Sequence, residues 1–240
     1  MEKFQFLTLD KWLADIMKMN VFSMDLEKAL QYPLDNISKE RFKNLLSENR
    51  SFIFCKVPTS NTEAVAQLEN IGFHLVDSNV QMKRQVVLKK DIKINARLAT
   101  AEDRKRVVEI AKNNFVFSRF HLDPFIKNSI ANTVKEKWVD NFFNGMRGDY
   151  LVVKEINSTV IGFILAIKKP GKCVVDLIAV DSKYRKMNAA SDMIYYLETL
   201  CEKETTMITG TQIANIPSIR LYESVGFKVD QSFYIFHYHS

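Results

Sequence analysis

One stretch of the sequence decides the fold: Val174-Val175-Asp176-Leu177-Ile178-Ala179-Val180-Asp181-Ser182-Lys183-Tyr184-Arg185-Lys186-Met187-Asn188-Ala189-Ala190. Its first seven residues are mostly apolar and rich in β-branched side chains, which is typical of a buried strand. A polar, basic turn follows, and apolar residues then recur at helical spacing. A strand that leads into a helix through such a turn makes an anion site, because backbone N–H groups and the positive end of the helix dipole converge there. Arg185 and Lys186 add charge at the same place.

The next part of the chain predicts a second helix with polar residues on one side. Asn215 and Tyr222 are seven positions apart, which places them two turns apart on nearly one face of that helix. Gly226 suits a helix end, because glycine accepts a positive φ. Considered alone, Asn215 could simply be the N-cap of a helix, and Tyr222 could simply be a half-buried aromatic residue.

In this order, the two segments resemble the acetyl-CoA signature of the GNAT acyltransferases. The turn of that family reads Arg or Gln, two variable residues, Gly, one variable residue, then Gly or Ala. Here Arg185 and Ala190 match, and Asn188 replaces the first glycine. Asparagine tolerates a left-handed backbone better than other non-glycine residues, so the turn is expected to keep its shape.

The resemblance implies an α/β (α+β) fold: a GNAT fold with a central mixed, mostly antiparallel sheet flanked by helices. It also implies acetyl-CoA as co-substrate and no metal. Tyr222 would donate a proton to the departing sulfur. Asp176 is one candidate for the base, with His121, Asp123 or a water relay as alternatives. The implied cofactor-binding residues are Ile178, Ala179, Val180, Arg185, Lys186, Met187, Asn188, Ala189, Ala190 and Asn215.

The composition limits the class of protein. The chain has 240 residues, 47% of them hydrophobic, which is enough for a sizeable core and for two domains. It contains no apolar run of about 18 residues and no basic-then-apolar leader, so we expect neither a membrane span nor a signal peptide. The 3 cysteines have no metal-like spacing, which indicates a reduced, cytoplasmic protein. The net charge of +6 favours small polyanions over nucleic acid, because no nucleic-acid-binding motif accompanies it.

The N-terminal part repeats the C-terminal pattern without its chemistry. Eleven positions separate Asn61 from Gly72, as they separate Asn215 from Gly226, but Leu68 stands where the second unit has Tyr222. We therefore predict a smaller, non-catalytic, partial GNAT-like domain over residues 1–90 and a catalytic GNAT domain that binds acetyl-CoA over residues 91–240. Residues 1–50 read as mainly helical. Residues 91–100 read as a strand, and Thr100 caps a helix that runs to about residue 113.

The loop from Phe117 to Pro124 holds the densest group of polar and aromatic residues in the chain. In the family, the loop after the first helix forms a wall of the acceptor pocket, so Arg119, Phe120 and His121 are predicted to bind substrate. The plain alternative is that His121 packs and that Asp123-Pro124 starts a helix. His237 and His239 alternate onto one face of the last strand, and without a third ligand nearby in sequence we interpret them as strand-surface residues.

The predicted function is direct transfer of an acetyl group from acetyl-CoA to a primary amine of a small acceptor. The arrangement of the whole chain resembles those family members that acetylate an amino sugar linked to a nucleotide. Two alternatives stay open: acetylation of a protein or peptide amine, and a degraded CoA-binding module that works by contact alone. A homodimer is compatible with the sequence, which does not fix the oligomeric state.

Overall fold

The computed structural model describes residues 5–31, 42, 50–87 and 95–240, and this part of the chain contains both strands and helices. The strands are β1 (Leu7–Leu9), β2 (Asn20–Met24), β3 (Ser51–Pro58), β4 (His74–Gln85), β5 (Arg97–Leu98), β6 (Tyr150–Ile156), β7 (Thr159–Lys169), β8 (Lys172–Val180), β9 (Thr206–Gln212) and β10 (Lys228–His239). The helices are α1 (Lys11–Met17), α2 (Leu26–Leu30), α3 (Thr62–Asn70), α4 (Arg104–Asn114), α5 (Arg119–Leu122), α6 (Asn128–Phe143), α7 (Ala189–Thr199) and α8 (Ile216–Ser224).

All of these strands belong to one mixed sheet in the order β1-β2-β3-β10-β4-β9-β8-β7-β6-β5. The pairs β2/β3 and β8/β9 are parallel, and the other neighbouring pairs are antiparallel. The predicted fold class, a mixed and mostly antiparallel sheet flanked by helices, is confirmed. No helix in the described ranges is both long enough and apolar enough to cross a bilayer.

Helices cover both faces of the sheet because successive strand residues point to opposite sides. In β6, Val152 joins a core cluster with residues of α7 and α8, whereas Leu151 and Val153 join one with α4 and α6. In β3, Ile53 packs with α2 and α3, whereas Phe52 packs with α1, α5 and α6. The side with α1, α4, α5 and α6 is called the front face below.

Two strand–helix–strand units of similar geometry interleave in the middle of the sheet. Asn61 caps α3 and Asn215 caps α8, each through its side-chain oxygen. Gly72 and Gly226 follow these helices at φ +99° and +93°. Strand β10 of the second unit lies between β3 and β4 of the first, and β4 lies between β10 and β9. The sheet is therefore continuous across the predicted domain division, whose position near residue 90 falls outside the described residues.

Several local predictions need correction. Residues 1–50 are predicted to be helix-leaning, and the described part of that range holds α1 and α2 together with an unpredicted strand pair, β1 and β2, at the end of the sheet; pairing with β3, which the sequence pattern does not reveal, holds this pair. The strand expected over 91–100 is limited to β5 in the described part of that range. The capping box of Thr100 is confirmed, although a 3-10 turn precedes α4. Asp123-Pro124 does not start a helix, because α6 begins at Asn128.

Candidate active site

A cleft opens in the sheet where two parallel strands separate. Strands β8 and β9 pair only at Lys172–Val174 and Thr206–Ile208. Beyond that point β8 continues beside β7 as far as Val180, while β9 continues beside β4 as far as Gln212. The gap between them is a cleft of about 780 Å³, lined by 175–180, 209–212, the start of α7 and much of α8. The edge of β8 along this cleft has no partner strand, so its backbone groups are available to a ligand.

The start of α7 forms the mouth of this cleft. Asn188 adopts the left-handed conformation predicted for it, with φ +57° and ψ +9°, and no side chain caps the helix. The first N–H groups of α7 therefore keep their hydrogen-bonding capacity, and they carry the positive end of the helix dipole. Ala189, Ala190 and Ser191 line the cleft beside them.

The basic residues of the turn lie at the same mouth. Arg185 and Lys186 line the cleft, and Lys186 has φ +65°. The guanidinium of Arg185 donates to the carbonyl oxygens of Val180 and Asn114, each over 3.4 Å, which keeps it beside the turn. Met187, also predicted to contact the cofactor, is 51% exposed and lies outside the lining of the cleft.

Tyr222 and Asn215 reach the cleft from α8. Tyr222 is 2% exposed, and its ring packs against Phe227 with centroids 5.5 Å apart. Burial raises the pKa of Tyr222 to about 12, while the neighbouring hydroxyl of Thr209 acts in the opposite direction. The phenol therefore stays protonated at neutral pH and can donate. Asn215 is the N-cap of α8, accepting from the backbone N–H of Ser218 at 3.4 Å, and it also lines the cleft.

Asp176 occupies a β-bulge in the wall of the cleft. Leu165 pairs with Leu177 and Ala166 with Val175, so Asp176 is the extra residue of β8. Its carboxylate accepts hydrogen bonds from Arg147 at 2.6 and 2.7 Å and from the indole of Trp138 at 2.8 Å. Both oxygens are thus engaged by strong donors, which favours an anchor that shapes the bulge over the predicted base.

Lys135 is a residue of the cleft that the sequence analysis did not single out. It projects from α6, is 7% exposed, and has no hydrogen bond or ion pair with any other described residue. Its ammonium lies 4.9 Å from the ring centroid of Phe115 and 4.7 Å from that of Trp138. Burial lowers the pKa of Lys135 to about 8, and the positive charge of Arg119 acts in the same direction. Only the three-dimensional arrangement reveals it, since in sequence it is one of many helical lysines.

This buried amine predicts a pH-dependent gain in stability when it is removed. Lys135→Met is expected to raise the free energy of unfolding at pH 7 by roughly 1–3 kcal/mol, because the burial of an unpaired charge is relieved. Between pH 8 and 10.5 only the unfolded lysine holds its proton, so the stability of the parent protein rises with pH and the difference shrinks. Urea unfolding at pH 7 and at pH 10 measures it, with exposed Lys137→Met as control. An equal difference at both pH values would contradict the prediction.

A short chain of hydrogen bonds leads from the cleft into the front face. The hydroxyl of Ser118, which lines the cleft, lies 2.6 Å from Nδ1 of His121. On the other side of the ring, Nε2 lies 2.9 Å from Oδ1 of Asn132. Because that oxygen can only accept, the neutral ring carries its proton on Nε2, and Nδ1 accepts from Ser118. His121 therefore has a route to the cleft through Ser118.

The other predicted substrate residues lie deeper in the front face. The guanidinium carbon of Arg119 lies 3.8 Å from the ring centroid of Phe54, and it makes no hydrogen bond or ion pair within the described part of the chain. Burial lowers the pKa of Arg119 to about 10, and the carboxylates of Asp10 and Asp77 act in the opposite direction. Phe120 is 1% exposed and packs in the core cluster with Phe52 and Val134, outside the lining of the cleft.

The interpretation of the last strand also changes. His237 is fully buried rather than on the strand surface, and its Nδ1 donates to Asp123 over 2.6 Å. His239 donates to the same carboxylate over 2.8 Å. Burial alone would raise the pKa of Asp123, but the hydrogen bonds from these histidines hold it well below its ordinary value. This carboxylate is committed to the histidines, which leaves His121 as the better-placed of the predicted alternatives to Asp176.

Comparison with known proteins identifies the domain that contains the cleft. The model of the acetyltransferase (GNAT) family matches residues 114–227, which span the cleft from its front wall to the end of α8. The chain carries a GNAT acetyltransferase domain. The cleft between β8 and β9 and the uncapped start of α7 both lie within this GNAT domain.

A curated relative gives a closer comparison. The spore coat polysaccharide biosynthesis protein SpsD of Bacillus subtilis is 33% identical over 139 residues, which is 56% of this chain and 47% of SpsD. The chain thus spans about half the length of this relative.

Solved structures share the fold of the GNAT domain and its neighbouring part. A conserved protein of unknown function from Staphylococcus epidermidis has a TM-score of 0.61, at 12% identity, covering 91% of this chain and 83% of its own. A GCN5-related N-acetyltransferase from Sphaerobacter thermophilus has a TM-score of 0.54, at 14% identity, covering 79% and 60%. A tandem GNAT protein from the clavulanic acid biosynthesis pathway has a TM-score of 0.55, at 12% identity, covering 84% and 68%.

Proposed function

We propose that this protein transfers the acetyl group of acetyl-CoA directly to the primary amine of a small acceptor, an amino sugar linked to a nucleotide. One observation carries the proposal: the cleft between β8 and β9 joins an uncapped helix start, a free strand edge and a protonated tyrosine. These are the groups that a thioester on a phosphorylated carrier needs. The phosphates need N–H donors, the amide-bearing arm needs a strand edge, and the leaving sulfur needs an acid.

The mouth of the cleft suits the pyrophosphate of acetyl-CoA. A phosphate at the start of α7 accepts from the free N–H groups and gains from the helix dipole. Arg185 and Lys186 add two positive charges beside it. The pantetheine arm then runs along β8, where the backbone of Ile178 and Val180 offers hydrogen bonds to its amides, and Asn215 reaches it from the opposite wall.

The chemical step is an attack of the neutral amine on the thioester carbonyl. A bond forms between the amine nitrogen and the acetyl carbon, and the bond from that carbon to sulfur breaks. Tyr222 gives its phenolic proton to the departing thiolate. The proton lost by the amine passes to Ser118 and on to Nδ1 of His121, while Asn132 holds the ring in the required tautomer.

The acceptor pocket continues from the cleft into the front face. Gln212 lines the cleft and neighbours Asp77. Burial raises the pKa of Asp77 to about 6, while the side chain of Gln212 acts to lower it, and a raised pKa of this kind is typical of ligand sites. Arg119 lies near Asp77, and its guanidinium has no hydrogen bond or ion pair among the described residues. It can therefore bind a diphosphate, because a planar guanidinium makes two parallel hydrogen bonds to phosphate oxygens.

Two comparisons support a sugar acceptor. SpsD is named for spore coat polysaccharide biosynthesis. The loop with Arg119 and His121, together with the partial unit in front, also resembles TDP-fucosamine acetyltransferase, which acts on a nucleotide-linked amino sugar. The net charge of +6 suits such a polyanionic acceptor.

We further infer that residues 1–90 act as a partial, non-catalytic GNAT-like unit that forms one wall of the acceptor pocket. Strand β3 brings Phe52 and Phe54 under α5, and α1 packs beside α6. Within the described residues of this unit, no basic turn with a free helix start precedes α3. Its contribution is therefore shape and support for Arg119.

A transfer assay tests the acceptor class. Purified protein with acetyl-CoA is incubated in parallel with nucleotide-linked amino sugars, the matching free amino sugars, and peptides with a free amine, and release of the CoA thiol is followed. We expect turnover with the nucleotide-linked sugars and a much higher KM for the free sugars. Preferred acetylation of peptides would favour the protein-acetylating alternative, and absence of turnover with acetyl-CoA bound would reject the proposed acceptor.

Asn188 allows a separate test of the pyrophosphate turn. Asn188→Gly is expected to leave the Kd of acetyl-CoA unchanged or slightly lower, because glycine adopts φ +57° without strain. Asn188→Ala is expected to weaken binding and to destabilise the fold by about 1 kcal/mol, because alanine lacks this freedom. Calorimetric titration and thermal unfolding measure both. Much weaker binding by the glycine variant would show that the Asn188 side chain makes a contact of its own.

A further inference from the structure

Three of the chain's four histidines surround one buried carboxylate in the front face, away from the lining of the cleft. His74 lies at the start of β4, His237 and His239 at the end of β10, and Asp123 directly after α5. The Asp123 side chain is fully buried. Segments distant in sequence thus bring two classes of metal ligand, imidazole and carboxylate, to one place.

The hydrogen bonds of this group leave two buried nitrogens without a partner, Nε2 of His74 and Nε2 of His237. Oδ2 of Asp123 accepts from His237 and His239, and Oδ1 accepts from the backbone N–H of Phe125 at 2.8 Å. Nε2 of His74 lies 4.0 Å from Oδ1, which is too far for a hydrogen bond. This nitrogen is buried and has no hydrogen-bond partner. A buried polar atom without a partner is costly, so a ligand at this point would offset that cost.

The separations of the ligand atoms suit a small divalent ion. One ligand atom from each of His74, Asp123 and His239 lies within 4.8 Å of the other two. Tetrahedral ligands at zinc-like bond lengths are about 3.4 Å apart, because each bond is about 2.0–2.2 Å long. The distances of 2.8 Å for His239 and 4.0 Å for His74 from the carboxylate oxygens lie on either side of that value. The two imidazole rings stack at 5.6 Å and 23°, so their Nε2 atoms can face one ion after small rotations.

We propose that His74, Asp123 and His239 bind one divalent first-row transition metal ion, with Zn²⁺ as the best match. Two imidazole nitrogens and one carboxylate oxygen are a donor set that zinc accepts, and three protein ligands leave a fourth position for water. His237 keeps its hydrogen bond to Asp123 and orients the carboxylate, the role that outer partners of metal ligands have. The ion takes the place of the proton that His239 shares with Asp123.

The bound ion would fasten the acceptor wall to the sheet. Asp123 follows α5, which carries Arg119 and His121, whereas His74 and His239 belong to neighbouring strands. Phe125, 68% exposed, lies 5.3 Å from the ring centroids of both His74 and His239 and covers the site from outside. The side chain of His74 is 33% exposed beside this ring, although its Nε2 atom is buried.

The test is metal binding by the full chain, independent of acetyl transfer. The protein is first stripped with a chelator. It is then titrated with Co²⁺ while its visible absorption is followed, and with Zn²⁺ in competition with a chromophoric chelator. We expect one saturable site per chain, a Co²⁺ spectrum of four-coordinate N/O ligation, and a Tm raised by Zn²⁺ because the ion binds the folded state. His74→Ala and His239→Ala should each weaken binding at least about tenfold.

His121→Ala is the matched control, because it removes the fourth histidine and should leave the metal affinity unchanged. His74→Ala is the most informative variant, since its Nε2 has no protein partner to lose and the fold should persist. Asp123→Asn is less suitable as a first test, because the buried carboxylate also holds two histidines. Absence of saturable binding, or equal affinity of the His74 and His239 variants and the parent protein, would overturn the proposal and leave a hydrogen-bonded network.

Discussion

Replacing Tyr222 with phenylalanine is expected to lower kcat by roughly 10²–10⁴-fold while the Kd of acetyl-CoA stays nearly unchanged. The ring fills the same space against Phe227, so the packing of α8 is preserved. Only the hydroxyl is lost, and with it the proton that the leaving thiolate receives. Because burial raises the pKa of Tyr222 to about 12, the hydroxyl is protonated throughout the usual assay range.

Tyr238→Phe is the matched control for this effect. Tyr238 is also buried, at 5% exposure, but it packs against Phe42 and Phe73 in the cluster with α2 and α3. Its replacement should leave kcat unchanged. Steady-state kinetics and acetyl-CoA titration of both variants separate the chemical step from binding. An unchanged kcat for Tyr222→Phe would remove the role of this tyrosine as acid.

Breaking the proton route through His121 is expected to have an effect of similar size. Ser118→Ala and His121→Ala should each lower kcat by roughly 10²-fold or more, because each removes one link between the amine and the imidazole. The double variant should be hardly slower than either single variant, since residues that act as one unit are not additive. Kinetics of the three variants at one pH measure this, with circular dichroism to verify the fold.

An additive double variant would contradict a shared proton route. It would mean that Ser118 and His121 act separately, for example with Ser118 in binding alone. Unchanged kcat in both single variants would instead support a water relay, the alternative that the sequence left open. Asn132→Ala should lower kcat less than His121→Ala does, because it loosens the ring of His121 without removing it.

The second half of the fold could be predicted from sequence because its signals are local. The strand, basic turn and helix start of 174–190 depend on neighbouring residues, and Asn188 adopts the left-handed conformation its residue type favours. Asn215 and Gly226 mark both ends of α8 for the same reason. Local hydrogen bonds and backbone preferences determine such features, so a sequence pattern is enough to predict them.

The features that sequence did not predict depend on contacts between distant segments. The bulge that turns Asp176 towards Arg147 and Trp138 arises from the register of β7 and β8. Lys135 enters the cleft only because α6 packs beside α4 on the front face. The group of His74, Asp123 and His239 forms because β10 returns to lie between β3 and β4. The spacing of residues along the chain does not indicate these contacts. For this reason the sequence predicts His237 and His239 to be surface residues.

Calorimetric titration with acetyl-CoA in low salt tests the central claim most directly, with acetyl-pantetheine as the comparison because it lacks the pyrophosphate. If the start of α7 holds that group, acetyl-CoA should bind saturably with one site per chain, and acetyl-pantetheine should bind far more weakly. No saturable binding of acetyl-CoA, or equal binding of the two compounds, would contradict the assignment of the cleft between β8 and β9 as the acetyl-CoA site.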